Sequence, residues 1–379
     1  VTIFPLSILY CFNCLLIKFR VNLLKIQILE PLHFSIIIAI YKREEELKEL
    51  LNSLTQQTDS AFEVLVIDDG SPTPLSAVVD SFKNKLDIKY YFKENSGPAL
   101  TRNFGMKRAH GNYFIFLDSD TIVPENYIEI VRNRLNENYT DAFGGPDDSS
   151  KNFSSLQKAI SFSMTSVLTT GGIRGRKKSV TKFQPRSFNM GISKKAFETT
   201  HGFGELRIGE DPDLSMTLWE NGFETQLIYE AKVYHKRRSS LKKFFRQVYN
   251  FGVARPILNQ RHPNYKSITF WFPSLFTLGM IISFLFLIVL QFPLFTQIIK
   301  FKHILIGLGY ALSLFYAIYF AAILIVSSIQ NKSLKVGLLS LVTTFIQFTA
   351  YGFGFLKSWI LLNILGWNPK KAFPSHFSK

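Results

Sequence analysis

The chain has 379 residues, more than one typical domain needs, and 47% of them are hydrophobic, so a large core can form. The formal net charge is +16, which is compatible with a nucleic-acid or membrane-surface partner. The two cysteines, Cys11 and Cys14, exclude a disulfide framework, and no second pair or nearby His completes a metal site with them.

The N-terminal segment, residues 1–33, is predicted to be an apolar extension. Residues 1–17 are mostly apolar and are followed by Lys18, Arg20 and Lys25. A membrane anchor is one interpretation, although the apolar run is short for a full span and its positive charges follow it. Because the chain opens with Val1, a misplaced start site is an equally good interpretation, and both stay open.

The segment 34–232 alternates strand-like apolar runs with helical patterns. The runs predict strands at 34–40, 62–67, 88–92 and 113–117, and helices at 44–57 and 98–109. Such alternation predicts an α/β domain with a largely parallel, Rossmann-like sheet that is covered on both faces. Sheets of this kind bind ligands at the carboxyl ends of their strands.

Acidic turns follow two of these strands. Asp68 and Asp69 come directly after the second strand, and Asp118-Ser119-Asp120 comes after the strand at 113–117. Both turns are predicted to lie on the same edge of the sheet. An Asp-x-Asp pair at a strand end suits Mg²⁺ or Mn²⁺ bound together with substrate phosphates, although Asp and Ser clusters also mark ordinary turns. Between the two turns, 95–105 predicts a turn and a helix whose N–H groups and Arg102 could face phosphate oxygens.

A third acidic group opens a later helix. Glu210, Asp211 and Asp213 surround Pro212 before Leu214, Leu218 and Trp219. One interpretation is structural, with Asp211 or Asp213 capping the helix and Pro212 in its first turn. The other is functional, with a carboxylate serving as general base on an acceptor hydroxyl.

Charge and hydropathy change after Glu230, which is the last acidic residue of the chain. Residues 233–270 are rich in Lys and Arg and include an amphipathic pattern with Phe244, Phe245 and Val248 on one face, which predicts an interfacial helix. Apolar segments of bilayer length follow within 271–379, at 274–292, 304–329 and 336–364. Basic residues before an apolar span indicate a membrane protein, not a nucleic-acid-binding one, with about three transmembrane helices.

The order of these motifs resembles that of the family 2 glycosyltransferases with the GT-A fold. The motifs are A-I-Y-K-R at 39–43, V-I-D-D-G-S at 66–71, N-S-G-P-A-L-T-R-N-F-G at 95–105, F-L-D-S-D-T at 116–121 and G-E-D-P-D-L at 209–214. The resemblance covers 34–230 and implies a GT-A catalytic domain at 34–232. It departs from the family at 39–42, where many relatives have Pro-Thr-Tyr-Asn, and at Leu100-Thr101, where relatives often have Ala before the Arg.

The resemblance implies roles for individual residues. Nucleotide-sugar binding falls to the following set: Tyr41, Asp68, Asp69, Arg102 and Asp118. It implies that Asp120 and Asp118 hold Mg²⁺ or Mn²⁺, with His235 as a further candidate ligand or a plain structural histidine. It also implies that Asp211 is the catalytic base, with Glu210 beside it.

The implied function is inverting transfer from a nucleotide-diphosphate sugar to a membrane-associated acceptor, such as a polyprenyl-linked glycan in cell-surface polysaccharide assembly. The implied location is the cell membrane, with several spans and the catalytic domain facing the cytoplasm. A processive polysaccharide synthase remains an alternative, as does a non-catalytic membrane scaffold that retains the transferase fold. The sequence leaves the donor sugar, the nucleobase of the donor and the oligomeric state open.

Overall fold

A computed structural model of the chain describes residues 31–148, 153–170, 182–235, 240–289 and 302–378. Within these ranges, five side chains are not described, namely those of Asp148, His235, Val289, Lys302 and His303. Residues 1–30, most of the predicted apolar extension, lie outside the described residues, and the interpretations of that segment stay predictions.

The described residues form two sheets. Their strands are β1 Phe34–Ile40, β2 Phe62–Asp68, β3 Ile88–Phe92, β4 Tyr113–Leu117, β5 Thr121–Ile122, β6 Ala142–Gly144, β7 Asp147–Asp148, β8 Asn189–Ser193, β9 Thr225–Leu227 and β10 Val233–His235. The larger sheet has the order β3-β2-β1-β4-β8-β6-β9, and the smaller one has the order β5-β10-β7.

The larger sheet is mostly parallel, as predicted. β1 runs parallel to β2 and β4, β2 to β3, and β6 to β9, whereas β8 is antiparallel to both β4 and β6. β1, β2 and β4 are buried on both faces, which explains why they are continuous apolar runs in the sequence. The carboxyl ends of these three strands therefore meet at one edge.

Helices cover both faces of this sheet and continue beyond it. They are α1 Glu44–Leu54, α2 Ser76–Asp80, α3 Pro98–Met106, α4 Tyr127–Glu137, α5 Ser155–Thr165, α6 Val167–Thr170, α7 Lys194–Thr200, α8 Glu210–Glu220, α9 Leu241–Arg261, α10 Phe272–Val289, α11 Lys302–Asn331, α12 Leu334–Trp359 and α13 Pro369–Ala372. One core cluster lies between the sheet and α1, α2 and α4, and a second lies between the sheet and α3, α7 and α8.

Helix α9 is the basic helix predicted within 233–270, but its apolar face is covered by protein. Phe244 and Val248 are buried in a cluster with Ala350 of α12, whereas Phe245 is exposed. The two helices run in the same direction, because Gly354 lies against Tyr249 and the later part of α12 follows the later part of α9. The amphipathic pattern of α9 thus marks a contact with α12.

Three of the described helices are long and apolar enough to cross a membrane. They correspond to the ranges 268–288, 304–331 and 334–364. α10 and α11 pack antiparallel, with the Oγ atoms of Ser283 and Ser313 2.6 Å apart. About half of the apolar window of α12 is buried, compared with 22% for α10 and 11% for α11. α12 is thus packed mainly against protein.

The segment after α12 returns to the sheet-containing part of the chain. The backbone N–H of Arg207 donates to the carbonyl of His376 at 2.8 Å, and that of Ser378 donates to the carbonyl of Glu205 at 2.8 Å. Lys370 also forms an ion pair with the Glu205 carboxylate, at 2.6 Å. Residues 369–378 are therefore bound to the loop that precedes α8.

The close approach of α9 and α12 depends on glycine. A Cβ added to Gly354 would lie 2.3 Å from the carbonyl oxygen of Tyr249. We expect Gly354→Ala to lower the free energy of unfolding by about 1–3 kcal/mol, because the two backbones must separate. Thermal unfolding of the detergent-solubilised protein measures this effect. Gly307→Ala in α11 is the matched control, because a Cβ there meets no described atom within 4 Å; equal effects of both changes would contradict the described packing.

Candidate active site

The candidate site lies where β1, β2 and β4 end. Tyr41 follows β1, Asp68 and Asp69 are at the end of β2, and Asp118 follows β4. The strand order places β1 between the other two, so all of these turns share one edge of the sheet. The prediction that both acidic turns lie on the same edge is confirmed.

Asp69 organises one side of this edge. Its Oδ1 accepts from Lys93 Nζ at 2.7 Å and from the N–H of Ser96 at 2.9 Å, and its Oδ2 accepts from the N–H of Gly97 at 2.9 Å. The carboxylate thus fixes the turn from which α3 begins. A cavity of about 260 Å³ opens beside it and is also lined by Tyr41 and Arg207. Tyr41 is 43% exposed, so its ring is available for stacking on a planar group.

Asp68 differs from its predicted role. It is fully buried, and its carboxylate accepts from the N–H of Ser71 at 2.8 Å, the hydroxyl of Tyr90 at 2.8 Å and the N–H of Leu75 at 3.3 Å. Burial and the bond to Asp68 raise the pKa of Tyr90 to about 12. The prediction that Asp68 contacts the nucleotide sugar is therefore corrected: its oxygens hold the turn after β2 and the start of α2.

Asp118 and Asp120 each face an arginine. Asp118 Oδ1 accepts from Arg102 Nη2 at 2.8 Å, and Asp120 Oδ2 accepts from Arg43 Nη1 at 2.6 Å. Arg43 follows β1, whereas Arg102 comes from the second turn of α3. The Asp118 side chain is 36% exposed and that of Asp120 is 18% exposed, so the pair opens onto the edge of the sheet. Two guanidinium groups thus partly neutralise this acidic turn.

The turn at Asp118 and Asp120 fits a hard divalent cation. Mg²⁺ and Mn²⁺ are commonly bound by one or two carboxylates, with substrate phosphates and water as the other ligands. No cluster of three or more His, Cys, Asp or Glu able to hold a metal ion exists among the described residues. A cation here would therefore rely on these two carboxylates and on substrate oxygens. The side chain of His235, the third candidate ligand, lies outside the described atoms.

Arg102 joins this turn to the acidic start of α8. Its side chain is 6% exposed, and its Nη1 lies 4.0 Å from Glu210 Oε1. Burial and the adjacent Asp211 raise the pKa of Glu210 to about 8, although Arg102 opposes the shift. This shift favours the protonated form of Glu210, which adds no negative charge beside Asp211. The structure brings together the residues predicted for catalysis and for the diphosphate.

Asp211 has a buried oxygen with no protein partner. Among the described residues, no group donates a hydrogen bond to Asp211 Oδ1, and no group accepts one from Arg102 Nη1. The N-cap of α8 is Gly209, with φ near 89°, so neither Asp211 nor Asp213 occupies the N-cap position. The capping interpretation is therefore wrong for this helix. Buried polar atoms without partners are rare, and two of them at one edge indicate a place for a ligand.

Asp213 belongs to a second buried cluster, which connects α8 to the end of α9. Asp213 Oδ1 lies 2.9 Å from both Arg261 Nε and His262 Nε2, and His262 Nδ1 lies 2.9 Å from Glu220 Oε1. Because both ring nitrogens of His262 face carboxylates, both donate, and the ring is an imidazolium. This cluster fixes the helix that begins with Asp211 against the basic helix.

Sequence reasoning missed three residues at this edge, namely Arg43, Lys93 and Arg207. Arg43 stands inside the motif at the end of β1, so its charge was a usable signal for a carboxylate partner. Lys93 and Arg207 lie outside every motif, and chain folding alone brings them to Asp69 and to the cavity. Single basic residues in loops are too common to be assigned from a sequence.

Comparison with known proteins agrees with this geometry. Residues 35–200 match glycosyl transferase family 2. A 117-residue stretch is 40% identical to an uncharacterised glycosyltransferase of Rickettsia conorii and covers 31% of this chain and 19% of that protein. A 112-residue stretch is 34% identical to the poly(ribitol-phosphate) beta-N-acetylglucosaminyltransferase TarS of Staphylococcus aureus, covering 28% and 20% respectively. The chain thus spans about a fifth of the length of these relatives.

The fold also has a counterpart among solved structures. A mannosyltransferase from Pyrobaculum calidifontis, solved with GDP-Man and Mn²⁺, superposes with a TM-score of 0.52 at 13% identity. The superposition covers 86% of this chain and 88% of that one, so the shared fold extends beyond the sheet. The mostly parallel sheet and its acidic edge define a GT-A fold. Residues 35–200, which contain most of this sheet, are the part of the chain that matches glycosyl transferase family 2.

The imidazolium of His262 gives stability a specific pH dependence. Burial lowers the pKa of His262, but its bonds to Asp213 and Glu220 outweigh burial and raise the pKa above 6.5. A raised pKa in the folded state contributes stability that is complete below pH 6.5 and is lost as the pH rises through the folded pKa. We expect His262→Gln to cost about 2 kcal/mol at pH 6, with the deficit shrinking as the pH rises through the folded-state pKa.

Thermal unfolding of both proteins between pH 6 and pH 9 measures this difference. His33→Gln is the matched control, because His33 is exposed. A deficit in His262→Gln that stays constant over this range would show that the ring is uncharged in the folded protein.

Proposed function

We propose that this protein is an inverting glycosyltransferase that moves a sugar from a nucleotide-diphosphate sugar to a membrane-associated acceptor. The observation that carries the proposal is the position of Arg102, a buried cation between the Asp118 turn and the start of α8. It puts the candidate leaving-group site and the candidate base within the reach of one side chain. A family 2 domain at residues 35–200 supports the reaction class.

The cavity beside Tyr41 and Asp69 is the proposed site for the nucleotide. Its volume, about 260 Å³, suits part of a nucleoside, with the Tyr41 ring available to stack on the base. The described contacts of Asp69 position the Ser96 and Gly97 N–H groups at the start of α3. The Pyrobaculum enzyme was solved with GDP-Man, which agrees with a nucleotide-sugar donor here.

In the proposed reaction, Asp211 accepts the proton of the acceptor hydroxyl while that oxygen bonds to the anomeric carbon. The bond from this carbon to the diphosphate oxygen breaks at the same time, so the configuration inverts and no covalent enzyme intermediate forms. Arg102 stabilises negative charge on the departing diphosphate. Asp118 and Asp120 would hold Mg²⁺ or Mn²⁺, which supplies further charge neutralisation at the phosphates.

The proposed acceptor is a lipid-linked glycan, as in the assembly of cell-surface polysaccharide. The three long apolar helices and the basic helix α9 support an acceptor at a membrane. TarS acts on poly(ribitol-phosphate), so relatives with polymer acceptors exist, and a processive synthase remains the second candidate. We also propose a location in the cell membrane, with the sheet domain facing the cytoplasm, because the basic residues of α9 precede the first span.

Purified protein with Mg²⁺ or Mn²⁺, a panel of nucleotide sugars and a membrane lipid extract tests the proposed function. Released nucleoside diphosphate and labelled lipid product are measured together. We expect Asp211→Asn to reduce turnover by about 10²–10⁴-fold without loss of donor binding, because it removes only the base. We expect Asp120→Asn to weaken donor binding in the presence of the cation, because it removes one ligand.

Asp80→Asn is the matched control, since Asp80 is exposed on α2 and pairs with Lys83. A polymer as product would favour the processive synthase. If no donor is consumed and neither active-site variant differs from the wild type, the chain is a scaffold and the proposed enzyme function is wrong.

A further inference from the structure

Arg255 of α9 is a cation without an anionic partner in the described structure. Its Nη1 is buried and has no hydrogen-bond partner among the described residues. Its guanidinium carbon lies 3.8 Å from the centre of the Phe270 ring, and the side chain also bonds to Tyr351. Burial lowers the pKa of Arg255, the nearby Arg186 adds to this shift, and Tyr351 opposes it. Two guanidinium groups thus approach each other with no described carboxylate beside Arg255.

The sequence shows that this charge is not compensated from α9 or from any helix after it. No Asp or Glu occurs after Glu230. Beyond the described residues, Glu30 is the single acidic residue, and Asp148 is the one described acidic residue whose side chain is not described. A buried charge normally has a counter-ion because desolvation is costly. An anion from outside the chain would provide one.

The position of the pair connects it to the candidate active site. Ala254 and Leu258, on either side of Arg255 in α9, pack against Gly209, the residue before Glu210. Arg186 precedes β8, and the carbonyl of Phe188 accepts from the N–H of Asp118 at 3.4 Å. Arg255 thus lies on the part of α9 that packs against the start of α8, and Arg186 lies two residues before a residue that is bonded to Asp118.

We propose that Arg255, together with Arg186, forms a phosphate-binding site for a substrate of this enzyme. The proposal rests on the proposed function, which supplies two sources of the same chemistry: the diphosphate of the donor and the phosphate of a lipid-linked acceptor. A phosphate oxygen would satisfy Nη1 and neutralise the pair, and paired guanidinium groups suit several oxygens at once.

Binding measurements on the full chain in detergent test this site with two probes. Inorganic pyrophosphate with Mg²⁺ represents the donor diphosphate and is titrated by calorimetry. Vesicles of phosphatidylcholine with polyprenyl phosphate represent the acceptor and are assayed by flotation. We expect Arg255→Met to weaken binding of one probe by about ten-fold or more, and Arg255→Lys to recover part of it. The probe affected identifies the source of the phosphate.

Arg134→Met is the matched control for loss of one positive charge, because Arg134 is an exposed arginine of α4. Thermal unfolding separates binding from folding: without ligand, Arg255→Met should be at least as stable as the wild type, since an uncompensated buried charge is removed. A less stable variant with unchanged affinity for both probes would overturn the proposal. Wild-type protein that binds neither probe would overturn both this proposal and the proposed function. If Arg255→Met loses probe binding but the wild type transfers no sugar, only the proposed function is wrong.

An independent observation concerns the path of the chain through the membrane. α9 packs against Gly209 and is joined to α10 by residues 262–271, and residues 369–378 bind the 205–207 loop after α12 ends. Both ends of the region 272–364 therefore lie on the side of the sheet domain. Three complete crossings would put these ends on opposite sides, so the number of crossings is even.

The contacts of the three helices identify the one that does not cross. α12 packs against α5 through Thr343, whose hydroxyl donates to the carbonyl of Ala159 at 3.1 Å, and against α9 along its later part. Its exposed apolar residues form one stripe along the helix, consisting of Leu334, Leu338, Val342, Phe345 and Phe353. α10 and α11 pack against each other and against α12, where the Oγ atoms of Ser327 and Ser340 are 2.7 Å apart, but only 22% and 11% of their apolar windows are buried.

We infer that α10 and α11 form a two-span hairpin and that α12 lies at the membrane surface on the side of the sheet domain, with its exposed stripe toward lipid. Single cysteines in the full chain, with Cys11 and Cys14 replaced by Ser, test this arrangement. The labelled sites are Asp80→Cys in the sheet domain, Thr296→Cys between α10 and α11, Lys332→Cys before α12 and Ser375→Cys after it.

A membrane-impermeant maleimide is applied to intact cells and to inside-out vesicles. We expect positions 80, 332 and 375 to label from one side and position 296 from the other. Labelling of position 375 from the side opposite to position 80 would establish three crossings and overturn the inference.

Discussion

The buried guanidinium of Arg102 is the interaction on which the candidate site depends. Burial alone would lower the pKa of this group, but Asp118, Glu210 and Asp211 together outweigh it and raise the pKa. The converse also holds, because the carboxylates of Asp118 and Asp211 would repel each other at one sheet edge unless a cation lay between them. Arg102 therefore allows Asp118 and Asp211, which come from separate parts of the chain, to lie at one site.

The location of Arg102 follows from the residues that fix α3. Asp69 accepts from the N–H groups of Ser96 and Gly97, so the end of β2 determines where this helix starts. Asn103, one residue after Arg102, exchanges two hydrogen bonds with the backbone of Phe203, at 2.7 and 2.9 Å. The loop that leads to α8 is thus bound to α3 on the side opposite Asp69. These contacts make the separation of Asp118 from Asp211 a property of the fold.

The sequence predicted most of the sheet because its central strands are simple. β1 to β4 are short apolar runs with turn residues after them, and the structure confirms their extents to within a residue. The motif residues also came together as expected, except that Asp68 is fully buried and only Asp69 lines the cavity. Their difference depends on Tyr90 and Ser71, which are brought to Asp68 by strand pairing, and no local pattern contains that information.

The helical region shows a different limit of sequence reasoning. A face that packs against another helix and a face that contacts lipid are both apolar, so composition cannot separate them. The pattern of Phe244 and Val248 therefore identified an apolar face, but its predicted contact with the membrane surface is wrong for these two residues, which pack against α12. Glycine supplied a better signal than hydropathy, because Gly252 and Gly354 lie where the backbones of α9 and α12 approach each other most closely.

The same region supports the active site physically. Asp213, two residues after Asp211, is bound by Arg261 and His262 at the end of α9, and α9 is in turn packed along α12. The segment after α12 pairs with the backbone of Arg207, which lines the cavity beside Tyr41. The base and the cavity are therefore each connected to the membrane helices by short chains of contacts. A displacement of α9 relative to the sheet would move Asp211 with it, so the proposed base would keep its position relative to the proposed acceptor at the membrane surface.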